Sequence, residues 1–100
     1  MSCPKKLTIG PFRYAVMVPS FLPDADGATN YSQRVIAVNG SLSEQSQRET
    51  LLHEVLHAVI DQTGFRNLEK EEEEKLVASL SPPLLSVLRS NPTFVSFLTE

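Results

Sequence analysis

Apolar and polar positions keep different rhythms in the two halves of this chain. Up to about residue 40 the period is short. Lys5–Ile9 alternates loosely, Gly10-Pro11 breaks it, and Phe12–Val18 is rich in aromatic and β-branched residues, which predicts a strand. Pro19 ends that run. Residues Ser20–Tyr31, with Pro23, Asp24, Asp26, Gly27 and Asn30, have the composition of a loop. Gln33–Val38 sets Val35 and Ala37 opposite Ile36 and Val38, a short strand buried on both sides or at one edge, and Asn39-Gly40 is a turn signal. These features predict a small antiparallel sheet of two or three strands.

From residue 41 the period lengthens to that of a helix. Ser41 with Glu44 fits a capping box, and Ser43 is an equally good cap two residues on. The first helix should run to Gln62 or Thr63, with Gly64 as its stop. Leu52, Val55, Leu56 and Val59 make its apolar stripe. After a short connection, Phe65–Leu68, the acidic run Glu69–Glu74 suits the positive end of a second helix. That helix should pack Val77, Leu80 and Leu84 on the first. Ser81-Pro82-Pro83 marks a kink or a new helix over Pro82–Arg89, and Asn91-Pro92 starts a last short helix at Phe94–Leu98. The expected fold is α+β: one domain over 1–100, with strands and loops in 1–40 and helices in 41–100, the first helix carrying the chemistry.

That chemistry is His53-Glu54-Val55-Leu56-His57, an H-E-x-x-H sequence inside an apolar run. Residues four apart share a helix face, so both imidazoles can reach one metal ion. Zinc takes imidazole nitrogen readily, and three protein ligands leave a position for water. Glu54 stands where the general base of such a site belongs. Asp61, one turn after His57, is a candidate acceptor for a histidine N–H. The chain has only two histidines, and both lie in the motif. A third protein ligand must therefore be a carboxylate. On the inward side of the second helix, one turn before Val77, that carboxylate is Glu73 or Glu74, and helical spacing does not choose between them.

Composition narrows the reading. One hundred residues with 41% hydrophobic content suffice for one small core. A formal charge of −3 argues against nucleic-acid binding, which wants a basic patch. A single cysteine, Cys3, permits no disulfide within the chain. No stretch reads as a signal peptide or a membrane span, so a cytoplasmic location is expected.

The blocks Thr50–Val59, Glu74–Leu80 and Leu88–Pro92 resemble the short phage- and prophage-encoded zinc metallopeptidase-like proteins, a minimal branch near the ImmA/IrrE peptidases. The resemblance implies a zincin-like fold, bound Zn²⁺, a peptide or protein substrate, and a glutamate on the second helix as third ligand. By register with that family's helix, this glutamate is Glu74, with Glu73 as alternate. His53, His57 and Glu74 would hold the metal, and Glu54 would accept a proton from water and pass it to the leaving amine. The strand Val35–Val38 is a candidate to align an extended peptide by edge pairing. Tyr14, Tyr31 and Arg34 are the candidate oxyanion stabilisers. The rival expectation is a regulatory or binding protein that keeps the zinc and the fold without proteolysis.

Overall fold

The computed structural model describes residues 2–65 and 67–100; Arg66, inside the expected connection Phe65–Leu68, lies outside them. A four-stranded sheet precedes three helices, an α+β arrangement. The strands are β1 (Lys6–Ile9), β2 (Phe12–Met17), β3 (Gly27–Asn30) and β4 (Val35–Val38), in the order β1-β2-β4-β3.

The first hairpin follows directly from sequence. Ile9 pairs with Phe12, so Gly10-Pro11 is a two-residue turn. Gly10 has φ +60°, and hairpin turns of this length take glycine at such a position. Leu7, Ile9, Phe12, Tyr14 and Val16 face inward, while Lys6, Thr8, Arg13, Ala15 and Met17 face out, the two-residue period of a half-buried sheet.

Two expectations for the sheet need correcting. It is mixed rather than antiparallel, because β2 and β4 run parallel. It also has a fourth strand, β3, inside the stretch whose composition reads as loop. Gly27, Ala28 and Asn30 carry little β propensity of their own, only Thr29 favours a strand, and pairing with β4 supplies what the side chains do not. The order is physically sensible. Ile36 and Val38 are fully buried on one face of β4, and Val35 and Ala37 are half-buried on the other. Such a strand belongs in the interior, and the short, polar β3 suits an edge.

Asn39 closes this part. Its side-chain N–H groups donate to the carbonyls of Leu22 and Ala25, and its Oδ1 accepts from the backbone and hydroxyl of Ser41. One buried amide thereby ties the β2–β3 connection to the entry of the first helix.

Helix α1 spans Glu44–Gln62, and Ser43, not Ser41, is its cap, accepting from the Ser46 N–H at 3.2 Å. Gly64, at φ +73°, follows its end. The line it lays on the sheet is Leu51, Val55 and Ala58, against Ile9, Tyr14, Ile36 and Val38. That line is rotated from the expected Leu52–Val59 stripe, and Val59 stays exposed. Rotation puts Glu54 on the sheet-facing side.

Helix α2 spans Lys70–Ser90 without interruption, so no new helix begins at Pro82. Two consecutive prolines leave the carbonyls of Ala78 and Ser79 without helical N–H partners. Both residues are exposed, so water can serve those carbonyls. The Ser81 hydroxyl donates to the Val77 carbonyl at 2.7 Å, and these are the buried residues of α2. Leu80 and Leu84, expected at the α1 interface, are exposed. Helix α3 spans Pro92–Thr99.

Gly27 decides how closely β3 approaches α1. A Cβ there would lie 2.6 Å from the Thr50 methyl, 3.0 Å from the Ala37 carbonyl oxygen and 3.2 Å from the Glu54 side chain. Gly27→Ala should therefore destabilise the fold by about 1–3 kcal/mol, the usual cost of overpacking. A urea melt would show this as a lower midpoint with unchanged slope.

Candidate metal centre

The four-residue spacing on α1 brings the two imidazoles together, their Nε2 atoms 3.2 Å apart and their ring centroids 4.8 Å apart. Helix α2 packs alongside and delivers Glu74 to both rings. Its Oε1 lies 2.9 Å from His53 Nε2, and its Oε2 lies 2.8 Å from His57 Nε2. His53, His57 and Glu74 form the set of side chains that could hold a metal ion.

Consecutive glutamates take different positions. Glu73 Oε2 lies 2.6 Å from His57 Nδ1, on the far side of that ring from Glu74. A carboxylate only accepts, so Nδ1–H donates to Glu73 and Nε2 turns its lone pair toward the shared centre. The sequence offered Asp61 as acceptor for a histidine N–H; the facing helix supplies Glu73 instead. It also left Glu73 and Glu74 as alternatives for the third ligand, and the structure gives them separate contacts on one ring.

The donors suit zinc. Bonds of 2.0–2.1 Å in a tetrahedron put neighbouring donors about 3.3 Å apart. The separations of 2.8–3.2 Å between the two Nε2 atoms and the Glu74 oxygens fall close to that. Two imidazole lone pairs and a carboxylate aimed at one point repel each other unless a cation or a proton lies between them. In this arrangement burial opposes a charged His57, but hydrogen bonds to Glu73 and Glu74 outweigh it and hold its pKa above the ordinary histidine value.

Glu54 lies beside this centre. It is 7% exposed, and its Oε1 accepts from the Thr29 hydroxyl at 2.8 Å. Its Oε2 is 4.0 Å from His53 Nε2. A buried carboxylate with one oxygen held and the other turned to the centre is placed to take a proton there. Thr29 was missed in the sequence because it sits in the loop-like stretch, and no motif marks it.

Clefts open on both sides of Glu54 and Glu74. One, of about 440 Å³, is walled by Asp26, Gly27, Glu49, Thr50, Ala78 and Pro82 around the histidines. The other, of about 650 Å³, is walled by Thr29, Tyr31, Asp61, Leu68 and Glu73. Of the three side chains weighed as oxyanion stabilisers, Tyr14 is buried in the core and Arg34 stacks on Phe12 at 3.8 Å. Tyr31 lines the second cleft with Glu54 and His57. Burial, with the charges of Glu73, Asp61 and Glu54, pushes its phenol up to about 12, so it stays a hydrogen-bond donor at neutral pH.

Glu73→Gln leaves a hydrogen-bonding group in place but removes the charge behind His57. Zinc affinity should fall about 10- to 100-fold, the range for losing such a supporting carboxylate. Competition with a chromogenic chelator would measure it.

A family model described as the IrrE N-terminal-like domain, Peptidase_M78, matches residues 16–78, a span that takes in the end of β2, all of β3, β4 and α1, and the start of α2. No curated protein matches the chain.

Proposed function

The chain belongs to the IrrE N-terminal-like peptidase family, and from that premise we propose that it is a zinc-dependent metallopeptidase. His53, His57 and Glu74 hold the ion, and a peptide or protein is the substrate. The observation that carries this reading is the count of donors. Structural zinc sites are closed by four protein ligands, whereas catalytic ones have three and an open position. Here three side chains converge among the described residues, and a buried carboxylate stands beside the gap.

Zinc held by His53, His57 and Glu74 would act as a Lewis acid there, making a nearby water more acidic and a carbonyl more electrophilic. Glu54 accepts the proton from the attacking water and returns it to the leaving amine, held in line by Thr29. Tyr31 donates to the oxygen on which negative charge develops. Alignment of the peptide falls to β3. The sequence suggested Val35–Val38, but β4 is paired on both sides, whereas β3 is an edge strand next to Glu54.

Origin in a phage or prophage rests on the sequence resemblance, and a cytoplasmic location belongs to the same proposal. No helix among the described residues is long and apolar enough to cross a membrane. The test compares zinc-loaded wild type with Glu54→Gln on a peptide library and reads new amino termini by mass spectrometry. Termini that appear with wild type alone support the proposal. If neither protein makes any, the non-proteolytic zinc protein is the better reading.

A further inference from the structure

The cleft of about 440 Å³ beside the histidines has carboxylates in its wall and, among the described residues, no lysine or arginine. Asp26 and Glu49 join Glu54 and Glu74 there, and neither Asp26 nor Glu49 has an ion-pair partner among the described residues. A divalent ion on the centre would offset two of those four charges and leave the others. A cleft lined by one sign of charge draws the opposite sign into it. Glu54 aims into the same space. It is nine-tenths buried, Thr29 holds its Oε1, and its Oε2 has no hydrogen-bond partner among the described residues.

The backbone of β3 says which part of a peptide reaches this cleft. The Asn39 N–H donates to the Asp26 carbonyl at 2.7 Å, so these two residues are a hydrogen-bonded pair that extends the ladder of β3 and β4. Such pairs alternate along an antiparallel ladder, so Ala28 and Asn30 also spend their N–H and C=O groups on β4. Gly27 and Thr29 turn theirs to the free edge. Both positions face α1, since the Thr29 hydroxyl reaches Glu54 and a Cβ on Gly27 would meet Thr50 and Glu54. A peptide strand laid on that edge bonds to Gly27 and Thr29, and residues side by side in a sheet put their side chains on the same face. The peptide residue beside Gly27 therefore points toward α1, into the cleft of Asp26 and Glu49, where glycine leaves it room. The Asn39 side chain also holds the carbonyls of Leu22 and Ala25, so Asp26 sits on a fixed backbone.

We infer that this cleft selects a peptide with lysine or arginine at that one position, Asp26 and Glu49 receiving the charged end of its side chain. The inference rests on the reading of β3 and the metal centre as the place where the peptide lies. A long cationic side chain reaches both carboxylates while its own backbone stays on the strand edge. Selection works by exclusion as well. An aspartate or glutamate at the same position would meet carboxylates of its own sign with no cation of the chain beside them.

The test is capture of short random-sequence peptides on immobilised, zinc-loaded Glu54→Gln. Among the retained sequences, lysine and arginine should be enriched over glutamine at one position by at least about tenfold, the factor a hydrogen bond to a charged group supplies. Asp26→Asn combined with Glu49→Gln in the same background should abolish the enrichment. Both changes keep the side-chain shape, and the amide oxygen that replaces the Glu49 carboxylate still accepts from Gln45. Glu44→Gln with Glu100→Gln removes the same charge from exposed positions outside the cleft and should leave the enrichment as it was. Capture of no peptide, or of peptides without a basic preference, overturns the proposal. So does a preference that survives the loss of Asp26 and Glu49, or one that the distant pair abolishes equally. Because capture is read instead of cleavage, the two readings fail separately. Basic enrichment by a protein that cuts nothing upholds the cleft and removes the peptidase, whereas cleavage without a basic preference does the reverse.

Discussion

Purified protein should contain one zinc per chain, and His53→Ala should contain none after the same dialysis. Glu74 then keeps a single imidazole partner, His57, and the pair is too weak to hold the ion. Loss of a carboxylate that only supports a ligand costs about 10- to 100-fold in affinity, so loss of a ligand itself should exceed about 100-fold. Stability should move with the metal. A bound ion would join α1 to α2 at a point where, without it, two lone-pair donors and a carboxylate crowd together. Free zinc at a thousand times its dissociation constant stabilises the native state by about 4 kcal/mol. For a domain of this length each 1 kcal/mol moves the melting temperature by about 4–8 °C. Chelation should therefore lower the wild-type melting point by about 16–32 °C and leave His53→Ala almost unmoved. Atomic emission with thermal melts in and out of chelator reads both effects. A wild type that takes up no zinc from excess would remove the metal centre, and the peptidase reading with it.

What could be read from sequence followed how local the cause was. The H-E-x-x-H spacing and the caps of α1 act within one or two turns, and each lies near where its pattern puts it. The break at Gly10-Pro11 is equally local, and the structure makes it the turn of a hairpin. Failures came where a partner distant in sequence decides. Strand β3 has almost no pattern of its own and exists because β4 offers it an edge. The parallel pairing of β2 with β4 depends on which hairpin strand turns inward, and that is set by packing beyond the strands' own patterns. Thr29 becomes part of the site through the same event, since the strand that carries it is invisible to composition. Glu73 and Glu74 are neighbours on one helix, and periodicity alone treats them as interchangeable. The difference comes from the ring they flank, one meeting Nδ1 and the other Nε2 of His57. Pro82-Pro83 misled in the opposite direction: of the kink or new helix expected there, the new helix does not begin, because exposed carbonyls let α2 continue.

Glu54→Gln should separate holding the metal from using it. The substitution keeps the shape of the side chain and an oxygen that can accept from Thr29, so the contact at 2.8 Å can persist. Zinc content and melting temperature should equal those of wild type, since Glu54 is outside the donor set. What disappears is the base. An amide does not take up a proton at neutral pH, and general-base assistance is worth about 10²- to 10⁴-fold. Cleavage of any peptide found for the wild type should fall by that factor in kcat/KM. The fall should be in kcat more than in KM, because the interaction is made in the transition state. Thr29→Val makes the same point at second hand. It removes the hydroxyl that orients Glu54 while leaving the carboxylate, so it should lose less rate than Glu54→Gln and keep the metal. Full activity in Glu54→Gln would show that another group moves the proton, and the buried carboxylate would then be a structural partner of Thr29 alone.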